Sequence, residues 1–160
     1  MNKGRTLFWY WLRVVLWAAL MFILSTDTFS SQHTGGVILV ALRLVLPHAH
    51  AETLDLIHLL IRKTAHITEY FVFSLLLLQA VRGVRTGWRL RWAIMALVIA
   101  SSYAASDEFH QSFVPSRTAS PRDVLLDATG ATLAQIAAWR VLTREQRLIS
   151  SRGSARPLKD

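Results

Sequence analysis

The chain has 160 residues, of which 52% are hydrophobic and 18% are charged, and its 18 basic and 10 acidic side chains give a net charge of +8. One domain is expected at this length. The absence of cysteine excludes disulfide scaffolds, thiolate metal sites and cysteine nucleophiles, and the low charged fraction excludes a disordered chain. A hydrophobic, basic composition is typical of small integral membrane proteins rather than of nucleic-acid-binding domains, so no nucleic-acid partner is expected.

The first apolar run covers residues 7–24 and predicts a transmembrane helix. A helix of this length rises about 27 Å, which is close to the thickness of the hydrocarbon core. Lys3 and Arg5 precede the run, an arrangement that is also typical of a signal peptide. No small-x-small cleavage site follows at residues 24–27, which favours an uncleaved span.

Two shorter apolar stretches follow, at residues 37–46 and 54–61. The first is too short to cross a bilayer and predicts a short interfacial or re-entrant helix in the outer loop, whereas the second runs directly into the following span. The first stretch is apolar except for Arg43, and its composition does not decide between an interfacial and a re-entrant helix. The second is interrupted by an aspartate and a histidine.

Three more apolar runs predict three further spans, at residues 64–81, 88–106 and 121–142. A short basic turn separates the first two, and a polar connection at residues 107–120 separates the last two. The predicted fold is therefore all-α, a four-transmembrane-helix bundle with short interfacial helices in the first outer loop.

The start of the last span carries clear helix-initiation signals. Ser120 stands at the N-cap, Pro121 at the first helical position and Asp123 at the third. The chain divides into a membrane domain at residues 1–142 and a basic cytoplasmic tail at residues 143–160, whose end is expected to be disordered. Small residues are typical of closely packed helix faces, and here these are Gly130, Ala134, Ala138, Ala100 and Ala104.

The charges are distributed unequally between the two sides of such a bundle. Residues 1–13, 82–91 and 140–160 carry 13 of the 18 basic residues and 2 of the 10 acidic ones. Because Lys and Arg accumulate in cytoplasmic segments, this side is predicted to be cytoplasmic. The prediction is therefore a multi-pass protein of the inner (plasma) membrane with both termini in the cytoplasm. All six histidines and eight acidic residues then fall on the outer side.

Polar residues converge on the outer half of the predicted bundle. Lys63, His66 and Tyr70 share one face of the second span, because they are three and four positions apart. Asp123 and Asp127 stack on the fourth span in the same way. Burying ionisable groups in a membrane is costly, so these side chains are expected to face one another or a wet cavity.

Two stretches resemble the motifs of VanZ-like membrane proteins. The first is Ile-Arg-Lys-Thr-Ala-His-Ile-Thr-Glu-Tyr at residues 61–70. The second is Ser-Asp-Glu-Phe-His-Gln-Ser-Phe-Val-Pro-Ser-Arg at residues 106–117, followed by Asp123 and by Asp-Ala-Thr-Gly at residues 127–130. Ser116 and Pro121 stand where family members often have a small residue or glycine. The resemblance implies a bacterial multi-pass envelope protein; the family is named after an accessory component of glycopeptide-antibiotic resistance and brings no established reaction.

The first functional hypothesis is a site for an anionic, phosphate-bearing headgroup. Its ligand would be a membrane lipid or a lipid-linked cell-wall precursor, neutralised by arginine and lysine side chains and by the start of the fourth helix. Glu69, Asp107 and Asp127 would orient the cations. The candidate binding residues are Arg62, Lys63, Tyr70, Gln111, Arg117, Arg122 and Asp123.

Three other hypotheses remain open. A hydrolase or transferase acting on a lipid phosphate would use a histidine as base or nucleophile, although the lipid-phosphatase signature is absent. The candidate catalytic residues are His66, Glu69, Asp107, Glu108, His110 and Asp127. The same residues would also suit a purely structural salt-bridge cluster, and a proton-coupled transporter is a further alternative. No metal or other cofactor is expected, because no His pair with a Glu between occurs at metal-ligand spacing.

Overall fold

The computed structural model describes residues 2–25, 34–113 and 120–154. Within these ranges the chain forms five α-helices and no β-strand, so the predicted all-α class is confirmed there. The helices are α1 (Lys3–Ser25), α2 (Thr34–Val45), α3 (Ala51–Arg82), α4 (Leu90–Gln111) and α5 (Pro121–Ser154).

The four long helices α1, α3, α4 and α5 pack together, and the short α2 packs against α3. The Tyr103 hydroxyl donates a hydrogen bond to the Ala18 carbonyl oxygen (2.7 Å), and Gln111 Nε2 donates to Ser25 Oγ (3.0 Å). Because the two contacts advance towards the C-terminal end of both helices, α1 and α4 run in the same direction. Helices α3 and α5 run in the opposite direction, so the chain reverses at each step from one long helix to the next.

Small residues let the helices approach closely in the interior. Ala100 and Ala104 of α4 and Ala134 of α5 are fully buried. A Cβ atom at Gly130 of α5 would overlap the carbonyl oxygen of Ile67 in α3. The prediction that these small residues form close-packing faces is therefore confirmed.

Large apolar side chains cover the outward faces of the long helices. The exposed side chains of α4 include Leu90, Ile94, Met95, Val98 and Ile99. Extended apolar surface of this kind is unusual on a water-soluble monomer and marks a face that contacts lipid or another apolar surface. Among the helices of the described ranges, α1 and α3 are long and apolar enough to cross a membrane.

Three helices extend beyond the predicted spans. The stretch at residues 54–61 is the first part of the 32-residue α3 and is continuous with the following span, as the sequence indicated, because neither glycine nor proline interrupts the chain between them. Helix α4 extends beyond residue 106 to Gln111, so the first part of the predicted polar connection is helical. Helix α5 continues past residue 142 to Ser154, through a segment rich in good helix formers such as Arg, Glu, Gln and Leu.

Candidate functional site

Two ion pairs connect α3 to α5 and form the centre of the candidate site. Lys63 Nζ lies 3.3 Å from Asp123 Oδ1. One helical turn further along, His66 Nδ1 lies 3.5 Å from Asp127 Oδ1. Lys63 and His66 are three positions apart and the two aspartates four, so each set spans about one helical turn. In parallel helices the two sets can therefore face each other. We call Lys63, Asp123, His66 and Asp127 the polar ladder.

The polar ladder descends from the surface into the protein. The side chains of Lys63 and Asp123 are 41% and 36% exposed, whereas those of His66 and Asp127 are 25% and 3% exposed. The outer pair is therefore accessible to a ligand. The inner carboxylate is removed from solvent, so it depends on His66 and its other neighbours for compensation of its charge.

Tyr70 lies one further turn along α3 and is almost completely buried. Its hydroxyl has no hydrogen-bond partner among the described residues. The titratable groups that interact with it electrostatically are Asp127, Asp107, Tyr103 and Glu69. Tyr70 is therefore the point at which the polar groups of α3, α4 and α5 approach one another.

The last turn of α4 adds two buried polar residues. Gln111 Nε2 donates to Asp107 Oδ2 (2.8 Å) as well as to Ser25 of α1. Glu108 accepts a hydrogen bond from the backbone amide of Ser120 at the start of α5. The headgroup hypothesis assigned the start of α5 to a ligand, but the amide of Ser120 there is already bonded to Glu108. A carboxylate at this position also interacts favourably with the α5 helix dipole.

The predicted N-terminal signals of α5 are confirmed in part by its hydrogen bonds. Ser120 Oγ accepts a hydrogen bond from the Arg122 amide at 3.3 Å, as an N-cap residue does. Asp123 lies in the first turn, as predicted, and its carboxylate contacts Lys63. The Asp123 side chain therefore has a tertiary partner in addition to its favourable position in the first turn.

The other candidate residues are arranged around this site or away from it. His110 packs on Phe22 of α1, with ring centroids 5.0 Å apart. The Glu69 carbonyl oxygen accepts a hydrogen bond from Trp17 Nε1 (3.2 Å), and its side chain is half-buried. Arg62 is half-buried and Arg122 is exposed, and neither forms an ion pair within residues 2–25, 34–113 and 120–154. Arg117 lies outside the described residues.

Sequence reasoning missed one buried polar contact between α3 and α5. Gln135 Nε2 donates to Ser74 Oγ (2.8 Å) and to the Ser74 carbonyl oxygen (3.1 Å), and Ser74 Oγ donates to the Ala131 carbonyl oxygen (3.0 Å). The available signal was the presence of a serine and a glutamine within otherwise apolar runs. These bonds extend the α3–α5 contact below the polar ladder.

The His, Asp and Glu side chains of the site are the residue types that bind metal ions. Among the residues whose positions are described, no group of three His, Asp or Glu side chains has the arrangement of a metal site. Hydrogen bonding, ion pairing and acid–base chemistry are what the observed side chains supply.

These features describe a helical protein in which two helices are long and apolar enough to cross a membrane, with a polar site between two parallel helices. A sequence model of the VanZ/LLP1 family matches residues 9–143, which is most of the chain. The protein belongs to the VanZ/LLP1 family, and the resemblance that the two motifs indicated is confirmed. Comparisons with curated proteins and with solved structures returned no match.

Proposed function

We propose that α1, α3, α4 and α5 each cross the bacterial inner membrane and that both termini are cytoplasmic. The support for α4 and α5 is the direction of their side chains. Their small and polar residues, such as Ala100 and Asp127, are buried, whereas Ile94 and Leu133 are exposed where lipid would be. A bundle of this kind needs an apolar surface only on its outward faces.

The distribution of charge supports the orientation. Helices α1 and α4 begin, and α3 and α5 end, at one end of the bundle, where Lys3, Arg82, Arg89 and Arg144 lie. An excess of basic residues marks the cytoplasmic side. In this arrangement residues 1–142 form the membrane domain and residues 143–160 a cytoplasmic tail, into which α5 continues as far as Ser154. A C-terminal reporter that is active only outside the cytoplasm should be inactive, and an active one would reject this topology.

The polar ladder then opens towards the outer surface, where it would bind an anionic, phosphate-bearing headgroup of a lipid or a lipid-linked cell-wall precursor. The observation that carries this proposal is the exposed Lys63–Asp123 pair above a buried aspartate. A lysine ammonium has three donors, so Lys63 retains donors for a phosphate while Asp123 holds it in position. Arg62 and Arg122 add positive charge nearby in sequence.

The test is the lipid that co-purifies with the protein, measured by mass spectrometry. The wild type should be enriched in a phosphate-bearing lipid, and Lys63→Gln should reduce this enrichment roughly tenfold, as for the loss of one charge-assisted contact. Arg43→Gln is the matched control, because it removes an exposed cation from α2, outside the polar ladder. Absence of enrichment in the wild type, or equal loss in both variants, would reject the proposal.

The family's name adds a physiological expectation to the same proposal. If the bound lipid is a cell-wall precursor, producing the protein in a glycopeptide-sensitive bacterium should change its susceptibility, and Lys63→Gln should reverse that change. Unchanged susceptibility in a strain that makes the protein in its membrane would argue for an ordinary membrane lipid as the ligand.

A second candidate function is hydrolysis or transfer at a lipid phosphate, and the His66–Asp127 pair favours it. The carboxylate contacts Nδ1 of His66, and a histidine held by a carboxylate in this way can act as a general base towards an attacking water. Phosphate release from a lipid phosphate in vesicles would be lost in His66→Gln. The control is His48→Gln, because His48 is exposed between α2 and α3, outside the polar ladder; no release by the wild type would reject the reaction.

A further inference from the structure

The basic end of the bundle, opposite the polar ladder, contains a cavity of about 730 Å³. It lies where the turn between α3 and α4 meets α1 and the last part of α5, and its lining includes Arg82, Arg85, Tyr10, Glu145 and Gln146. Cavities of this volume are typical of small-ligand and cofactor sites. None of the hypotheses drawn from the sequence uses these residues.

Arg82 is the central cation of this region. Its Nη1 donates to the Gly87 carbonyl oxygen at 3.4 Å, whereas its Nε is buried and has no hydrogen-bond partner among the described residues. Neither Arg82 nor the exposed Arg85 forms an ion pair within residues 2–25, 34–113 and 120–154. A partly buried guanidinium without an anionic partner is costly, and a bound anion would remove that cost.

The turn itself is built to sit closely under α5. Gly87 has a φ of 77°, and a Cβ atom at this position would overlap the side chain of Gln146. Glycine is therefore favoured here by the backbone conformation, and it leaves room for the Gln146 side chain next to the turn. The turn and the extended part of α5 together form the wall of the cavity.

A second cavity, of about 680 Å³, shares Arg82 and Arg85 with the first and extends along the outward faces of α1 and α4. Leu7 and Trp11 of α1 and Met95 of α4 line it, and all three are exposed apolar side chains. The combined space is thus positively charged at the turn and apolar along the helices. A soluble phosphate would leave the apolar part unused, whereas a phospholipid matches both parts.

We propose that these two cavities form a binding site for an anionic phospholipid of the membrane leaflet at the basic end. The phosphate pairs with Arg82 and Arg85, and an acyl chain lies along Leu7, Trp11 and Met95. Basic pockets between helices on the cytoplasmic side are known as sites for anionic headgroups. The proposal requires the chain to lie in a membrane, but it is separate from the ligand of the polar ladder at the other end.

The experiment uses the full-length protein in bilayers that contain phosphatidylglycerol or only phosphatidylcholine, with retained lipid counted by native mass spectrometry. The wild type should retain phosphatidylglycerol in preference to phosphatidylcholine. Arg82→Gln should lower that preference roughly tenfold, as for the loss of one charge-assisted contact. Arg147→Gln should leave it unchanged, because it removes an exposed cation at the same end, outside both cavities.

Arg85→Gln provides a second variant that does not depend on a buried side chain, since Arg85 is exposed in the turn. It too should reduce retention of phosphatidylglycerol. The reduction caused by Arg85→Gln should be the same in the wild type and in a Lys63→Gln background, which separates this site from the polar ladder. Equal retention by the wild type, Arg82→Gln and Arg85→Gln would overturn the proposal, and so would an equal reduction in Arg147→Gln, since that would indicate diffuse attraction to the basic surface.

Discussion

Gly130 of α5 lies against the carbonyl oxygen of Ile67 in α3, with no room for a Cβ atom between them. This contact lies between the polar ladder and the buried Ser74–Gln135 hydrogen bonds. It brings the backbones of two parallel helices together at the depth where their polar side chains must meet. The spacing of α3 and α5 therefore decides the geometry of the candidate site.

Gly130→Ala should destabilise the bundle by about 1–3 kcal/mol, because the added methyl group meets backbone that cannot move aside cheaply. Headgroup retention should fall as well, since α5 would be displaced from α3. A denaturation curve in detergent and the lipid measurement together check this. The control is Gly36→Ala in α2, where a Cβ atom meets nothing within 4 Å. A Gly130→Ala protein with the stability and headgroup retention of the wild type would show that the two helices are further apart.

The two aspartates of the polar ladder should differ in their contribution to stability. Asp127→Ala removes a carboxylate that is 3% exposed, and it should cost about 3–5 kcal/mol because a buried pair is broken. Asp123→Ala removes a partner that is 36% exposed, and it should cost at most about 1 kcal/mol. Unfolding in a denaturant titration measures both. Equal losses would contradict the burial gradient along the polar ladder.

Glu108 is expected to stabilise the start of α5 from the end of α4. Its carboxylate accepts the Ser120 amide hydrogen, so Glu108→Ala should cost about 1 kcal/mol by removing the partner of a half-buried donor. Hydrogen exchange should speed up in the first turn of α5 before any change appears in α1. Glu52→Ala, at an exposed position in α3, is the control. Unchanged exchange near Ser120 would argue against the contact.

The contact between Ser74 and Gln135 is suited to a double-mutant cycle. Ser74→Ala, Gln135→Ala and the double variant should give a coupling energy of about 0.6 kcal/mol, and up to about 1.7 kcal/mol, as for hydrogen bonds between membrane helices. Thermal unfolding in one detergent measures all four proteins under the same conditions. A coupling energy of zero would mean that the two side chains do not interact in the folded protein.

Helical periodicity was enough to identify which α3 residues share a face with the site. Lys63, His66 and Tyr70 were grouped by spacing, and the first two contact α5 while the third lies buried beside the carboxylates. Spacing along one helix does not determine which residue of another helix is the partner. The assignment of Lys63 to Asp123 and of His66 to Asp127 therefore came from the structure.

Helix ends were predicted less well than helix interiors. The polar residues after position 106 suggested a connection, yet α4 continues to Gln111. Their side chains have partners in other helices, with Gln111 bonded to Ser25 and Glu108 to Ser120. Tertiary hydrogen bonds of this kind offset the cost of burying polar groups, and no local sequence pattern reports them.

The sequence by itself determined the family and the all-helical class. It also determined that basic residues gather at one end of the bundle and acidic residues at the other. These properties follow from composition, motif residues and local periodicity, which act over a few neighbouring positions. Only the tertiary structure decided the parallel register of α3 and α5, the partners in the polar ladder and the cavity around Arg82. These depend on how closely backbones approach, as at Gly130, and that distance is the result of packing among residues far apart in the chain.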